Sequence, residues 1–387
     1  MAFPEEWRNR QKITVSNSYI DSSLTDWTLI IYKGLSSKFT AVNGILDADG
    51  KRPMINGGGD LRVSLDEDGA TRLPIDVRSA SINNNPSNGT LEIAVKVPSV
   101  SDSSDTTVYL WWGKEGESQP AVDSLWGQYN AYDSFHELVS PGGGDNDRTS
   151  NGYTGSGQGG VSIGGATGAV GSATYYDGIN DRVDWGNILD IGSNEDFAIE
   201  ALFKTNTTDY SKYPGIISKE WQSDSPRQGY FLGITNTGSV FQETRQNGTA
   251  DYVVFDSGYF DNNWHYVASN RDTGGNKCIG RLDTTTKLNS GIQTGTLTTT
   301  EQLRFGCRGD TGFPSDIYTK ITLCEVRISS VPRSDAWFKA NYNNLLNTSG
   351  FITVDDIEDT FDPEEYTSMM KVTISKNYID TPLSNWT

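Results

Sequence analysis

Hydrophobic and polar residues alternate in short runs along most of the chain. Over residues 91–97, Leu91, Ile93, Val95 and Val97 fall on one side and Glu92 and Lys96 on the other, the period of two of a half-buried strand. Val108, Leu110 and Trp112 repeat the pattern after a polar turn. Ile13 with Val15, then Trp27, Leu29 and Ile31, then Leu61, Val63 and Leu65 add short strands between clusters of Gly, Asn, Asp and Ser. The spacing predicts an all-β sandwich over residues 1–122.

Residues 138–172 are rich in Gly and Ser with little apolar content, and such a composition reads as a disordered linker. Beyond it the alternation resumes: Phe197, Ile199, Ala201 and Phe203 oppose Glu200 and Lys204, with further runs at 230–234, 264–268, 303–306 and 321–328. Ser334 and Asp335 then cap a short helix that runs to about Leu345. Residues 123–346 form a second all-β unit, large enough for a two-sheet jelly roll. From 351 to 370 there are seven acidic residues and no basic one, which predicts a solvated linker over 347–366.

After that run the chain repeats itself. Residues 371–387, KVTISKNYIDTPLSNWT, match residues 12–28, KITVSNSYIDSSLTDWT, without a gap and with nine of 17 positions identical. A long-period repeat marks a reused module, so 367–387 reads as the start of a third, repeat-like unit. Two outcomes are open: a longer tandem chain, or a strand that completes a sandwich in a neighbouring subunit.

Composition narrows the function. With 31 Lys and Arg against 50 Asp and Glu, the net charge is −19, which argues against a nucleic-acid binder or a basic membrane-surface anchor. No run of apolar residues is long enough for a spanning helix. His136 and His265 are the only histidines, and the three cysteines, Cys278, Cys307 and Cys324, are odd in number and confined to one stretch, unlike a secreted disulfide framework. The first 11 residues carry no signal-peptide pattern, so synthesis in a reducing cytoplasm is expected.

Residues 7 to about 128, through WRNRQKITV, DLRVSLDEDGATRLPIDV, LEIAVKVPS and TTVYLWWGK, resemble the β-domain family catalogued as domain of unknown function twenty-three forty-one. The second unit, through ATYYDGINDRVDWGN, FAIEALFKT, GIISKEW, DNNWHYVA and CEVRISSVPRSDAWFKANYNN, is similar to laminin-G-like, concanavalin A-like jelly rolls. This domain order, joined through LWGQYNAYDSFHE, resembles an arrangement found in prokaryotic surface proteins and tailed-phage virion proteins. Cys324 stands where the second family commonly has Asp, so no role of that acid carries over.

Candidate chemistry is sparse. Glycoside hydrolysis needs two nearby carboxylates, and Glu200 and Glu325, alone in their strands, lack an acidic neighbour at i±2; Glu325 shares its face with Arg327. His265 reads as a packed strand histidine, His136 as structural, and Asp177, Asp181 and Asp184 as turn formers. Asp145 and Asp147, in a glycine-rich loop, are candidate calcium ligands, calcium being the one cofactor the sequence suggests. Tyr210, Tyr213, Trp221, Arg227 and Tyr230 are candidate glycan contacts, because aromatic faces stack on sugar rings while polar neighbours satisfy hydroxyls. With the resemblance, these features imply a non-enzymatic structural or adhesion component of a phage virion, in a tail fibre, tail tip or head-surface appendage. Its expected partners are other virion proteins, further copies of itself and host-surface glycans. A bacterial surface or secreted lectin-like adhesin is the alternative, and a glycoside hydrolase ranks behind both.

Overall fold

The computed structural model describes residues 3–4, 6–39, 54, 56–81, 89–207, 213–221, 227–309 and 317–360. Seven strands come first: β1 (Asn9–Val15), β2 (Leu24–Tyr32), β3 (Arg62–Ser64), β4 (Arg72–Leu73), β5 (Ile75–Ser81), β6 (Thr90–Val100) and β7 (Thr106–Trp112). The next group opens with β8 (His136–Ser140), β9 (Ser156–Gln158), β10 (Ser162–Thr167), β11 (Ser172–Asp177), β12 (Arg182–Asp184) and β13 (Phe197–Lys204). It continues with β14 (Gly215–Trp221), β15 (Gln228–Ile234), β16 (Ser239–Gln246), β17 (Thr249–Ser257), β18 (Trp264–Arg271), β19 (Lys277–Leu282) and β20 (Thr285–Ser290). Short β21 (Arg304–Phe305), β22 (Cys307–Arg308) and β23 (Ile317–Tyr318) precede β24 (Lys320–Ser329), helix α1 (Asp335–Leu345) and β25 (Ile352–Asp359). The protein is all-β, and among the described residues no helix is long and apolar enough to cross a membrane.

The first sandwich sets a five-stranded sheet, β25-β1-β7-β3-β4, against a three-stranded one, β2-β6-β5. Ile13, Val15, Val108 and Leu110 from one sheet meet apolar residues of β2 and β6 from the other. Residues 27–32 are all buried, so both faces of β2 are covered. The second cover is α1. Its Ser334 cap accepts from the Trp337 amide, as the sequence predicts, and Asn341 accepts from Trp27 Nε1 at 2.8 Å. Asn344 accepts from the Ile30 amide at 2.8 Å and donates to the Ile30 carbonyl at 3.0 Å.

The second sandwich pairs an eight-stranded sheet with a seven-stranded one, β17-β16-β15-β14-β21-β12-β9. The larger sheet runs β10-β11-β24-β13-β18-β19-β20, with β8 also on β24. Phe197, Ile199, Tyr230, Leu232 and Phe305 lie in the core between them.

Two expectations are corrected. The acidic stretch is not a linker throughout: residues 352–359 are β25, which pairs antiparallel with β1 and closes the first sandwich. Ile352 and Val354 point inward and Phe351 is fully buried, while Glu358 pairs with Arg10 and Asp355 with Lys12. Burying each large apolar side chain contributes about 1.5–3 kcal/mol, against at most about 1 kcal/mol for an exposed ion pair, so the apolar face seats the strand. The glycine-rich stretch 138–172 is likewise ordered, holding β8 to β10 and the start of β11. The proposed third unit, 367–387, lies outside the described residues.

Candidate functional site

Strands β14 to β17 place Tyr230, Leu232, Ile234, Val240, Val253 and Phe255 in the core, so the alternate residues face outward. The register sets Phe231, Glu243 and Tyr252 in one row, Glu220, Gly229 and Arg245 in the next, and Phe241 opposite Val254. Phe241 is the hub. Its ring centroid lies 5.2 Å from Phe231 and 6.2 Å from both Tyr252 and Tyr213. Tyr213, Tyr252 and Val254 are 37%, 42% and 46% exposed whereas Phe231 and Phe241 are buried, so the accessible part of this aromatic platform is its two tyrosines, seated on the phenylalanines.

A ladder of charges crosses the same face. Arg308 stacks 4.4 Å from the Phe231 centroid and donates to Glu220 at 2.9 Å. Arg245 pairs with Glu220 at 3.6 Å and with Glu243, and donates to the Tyr252 hydroxyl at 2.9 Å. Glycine is required at 229, where φ is +134° and a Cβ would sit 2.2 Å from the Lys219 carbonyl oxygen. Burial, followed by the charge of Glu220, raises the pKa of Glu243 despite Arg245.

Of the predicted glycan contacts, Tyr213 stands on the platform. Tyr230 does not: it is 1% exposed, packs 5.1 Å from Phe197 and donates to the Leu189 carbonyl in the core between the sheets, while its neighbour Phe231 takes the other face of β15 and is itself fully buried against Phe241 and Arg308. Arg227 is half-buried just before β15, its carbonyl accepting from the Gly248 amide. Trp221 ends β14, with its side chain outside the described residues, and Tyr210 lies outside them altogether. Sequence reasoning missed Phe231, Phe241, Glu243, Arg245 and Tyr252. A signal was there: Asn247-Gly248 between alternating runs marks a two-residue hairpin, and both residues have positive φ.

Asp145 and Asp147 do not act together. Both Asp147 oxygens are occupied by the loop's own donors, the amides of Val139, Thr149 and Tyr153 and the Thr149 hydroxyl. Among the described residues no group of three or more His, Cys, Asp or Glu is placed to hold a metal ion. His265 is clamped by Asp283 at 2.7 Å and Asp261 at 3.0 Å, and His136 bonds Asp133 at 2.7 Å. Glu200 accepts from Tyr266, Trp337 and Asn341 beneath α1.

A second concave region lies at the seam of the sandwiches. It is a cleft of about 1040 Å³, walled by β5 and β6 on one side and by the glycine-rich turns around β8, β10 and β11 on the other. Behind it Arg78 pairs with Glu92, Glu325 and Asp76, while Arg148 and Tyr132 also reach Asp76. A bulge aims Glu325 here: two residues of β24 oppose Ala201 of β13, and Glu325 has φ +50°.

No protein-family description and no curated protein matches the chain. Among solved structures it is similar to the binding domain of Paraclostridial Mosquitocidal Protein 1, at 11% identity and a TM-score of 0.45 over 55% of this chain and 53% of that one. The botulinum neurotoxin serotype G binding domain aligns at 14% and 0.42 over 53% and 50%. The binding domain of botulinum neurotoxin DC in complex with SialylT aligns at 12% and 0.40 over 56% and 52%. The chain thus spans about half the length of each, and no property of those proteins is transferred to it.

Proposed function

We propose that this is a non-enzymatic structural and adhesion protein of a phage particle, and that the second sandwich contacts host-surface glycans through its outer face. The observation that carries the glycan reading is the pair of exposed tyrosines around Phe241, with the Tyr252 hydroxyl held by Arg245. Rings fixed in this way stack on sugar faces at little entropic cost, and adjoining charged groups match hydroxyls. The virion setting draws on the resemblance of the domain order. A cell-surface adhesin would use the same face, and neighbouring genes separate the two: capsid, portal or tail genes favour the virion, transport or cell-wall genes the adhesin.

The test uses the full chain on a glycan array. Replacing Tyr213 and Tyr252 together by Ala removes two stacking faces, each worth about 0.5–1.5 kcal/mol, so about tenfold or more of affinity is lost at an unchanged melting temperature. Unchanged binding in that variant refutes the platform. Glu220 and Glu243 share one guanidinium, which keeps a hydrolase reading in view. Release of reducing sugar that disappears on Glu220→Gln or Glu243→Gln would overturn the non-enzymatic assignment.

A further inference from the structure

We propose that the cleft between the two sandwiches is a second ligand site, taking a short neutral oligosaccharide edge-on through its hydroxyl groups. It shares with the preceding reading the premise that the protein contacts glycans, and it is independent of the aromatic platform.

Three observations carry it. First, the groups behind the cleft are held rigidly yet left incompletely satisfied. The Arg78 side chain is 3% exposed and lines the cleft, and its Nη2 has no hydrogen-bond partner although three carboxylates surround the group. Buried polar atoms are paired in the great majority of cases, so an orphan on a cleft wall marks a place where a ligand or water completes the set.

Second, the opposite rim carries acceptors with no internal task. The Asp145 carboxylate hydrogen-bonds to none of the described residues, and Asn146 beside it is exposed. A carboxylate accepts from two neighbouring hydroxyls at once, and an amide both donates and accepts, which suits a polyol.

Third, the walls are main chain. Gly142, Gly144, Gly164, Gly165 and Gly168 line the cleft, and Gly171 brings the backbone directly against Glu92, where a Cβ would stand 1.8 Å from Oε2. Hydroxyls of Ser79, Thr90 and Thr167 add polar groups to a lining that also holds the apolar Pro141, Ile163 and Ala166, whereas Tyr32, its one aromatic residue, is 8% exposed. A site with main chain, hydroxyls and small apolar groups on its walls and no open ring face reads hydroxyl geometry and ring edges rather than stacking. Lys33, Arg78 and Arg148 against Glu92 and Asp145 leave the lining charges nearly balanced, which favours a neutral sugar over a strongly acidic one.

The test compares four full-length proteins on an array of short neutral oligosaccharides, followed by titration of the best binders: wild type, Tyr213→Ala with Tyr252→Ala, Asp145→Ala, and Thr167→Trp. The last two change groups whose loss leaves the fold intact, since the Asp145 carboxylate bonds to none of the described residues, its carbonyl keeping the bond from the Gly155 amide, and Thr167 is exposed. At least one sugar is expected to lose about tenfold or more in affinity on Asp145→Ala and on Thr167→Trp while keeping its affinity for the double tyrosine variant. If every bound sugar is indifferent to Asp145→Ala and Thr167→Trp, the cleft site is refuted, and the platform stands only where the double tyrosine variant loses affinity. If the wild type binds no sugar, both fail. Sensitivity confined to the cleft variants supports this site and refutes the platform alone.

Discussion

The seam and the outer face are built from the same kinds of charged group, carboxylates and guanidinium ions, shared out differently. At the seam Glu325 sits between two guanidinium groups, those of Arg78 and Arg327; on the outer face Glu220 has Arg308 and draws on Arg245, which leaves Glu243 a share of Arg245 alone. Burial alone would raise Glu325, but Arg78 and Arg327 outweigh it and hold the pKa below the ordinary carboxylate range. Burial and the charge of Glu220 win at Glu243, whose pKa is raised. Glu92 behaves like Glu243: burial leads, Arg78 is shared with Glu325 and Asp76, and the pKa is raised. In each cluster the carboxylate left with less than a full guanidinium borders ligand space, Glu92 on the cleft and Glu243 on the platform. The well-paired carboxylate fastens structure; the underpaired one, itself buried, lies next to a proposed ligand surface.

Breaking the fastening has the largest effect. Arg78→Leu leaves Glu325, Glu92 and Asp76 short of their common cation in a buried site, and removing one partner from such a cluster costs about 3–5 kcal/mol. Urea denaturation should show a loss of that size. A cost under about 1 kcal/mol would mean that the seam charges are solvated and do not tie the sandwiches together.

The seam is also held by neutral groups, and these measure how much of the joint is electrostatic. Asn344→Ala strips both the amide and the carbonyl of Ile30 of their partner under α1, at about 1–3 kcal/mol for each buried group left unsatisfied. Because Asn344 carries no charge, this loss should not change with salt. A salt-dependent loss would show that the charge network and the helix contact act as one unit.

How much of this was legible in the sequence depended on the range of the pattern. The strands around 91–97, 106–112 and 197–203 and the Ser334 cap follow from local periodicity, and they are present. β25 was hidden because its outward positions are acidic and its partner strand begins 343 residues earlier (352 − 9), at Asn9. The glycine-rich stretch looked unstructured because its contacts are made by main chain against distant residues such as Glu92. Tyr230 and Phe231 are adjacent and both buried, and a one-residue choice of face decided which packs between the sheets and which lies under the outer tyrosines. The Glu220–Glu243 pair is not legible in a single strand's pattern, because β14 and β16 bring it together from either side of β15.

The smallest effect, and the one that separates the two kinds of carboxylate by sign, is the pH dependence. At Glu243 the folded protein holds a proton more tightly than the unfolded chain, whose glutamates titrate near pH ~4.3. Its charge is therefore unfavourable to folding. The penalty is absent below the unfolded pKa, grows as pH rises through the raised folded value, and is complete above it. Glu243→Gln removes this dependence, so relative to wild type the variant's stability should rise as pH increases from about 4 to 7. Glu325 has the opposite sign, since a depressed folded pKa gives stability that is present above the unfolded value and lost on acidification. Glu325→Gln should therefore lose ground to wild type as pH rises toward about 5, below the window in which Glu243→Gln gains, and stay level above it. Denaturation midpoints of the two variants at several pH values, each referenced to wild type, should diverge in opposite directions. Parallel curves would show that the proportion of carboxylates to guanidinium groups does not set the difference between seam and platform.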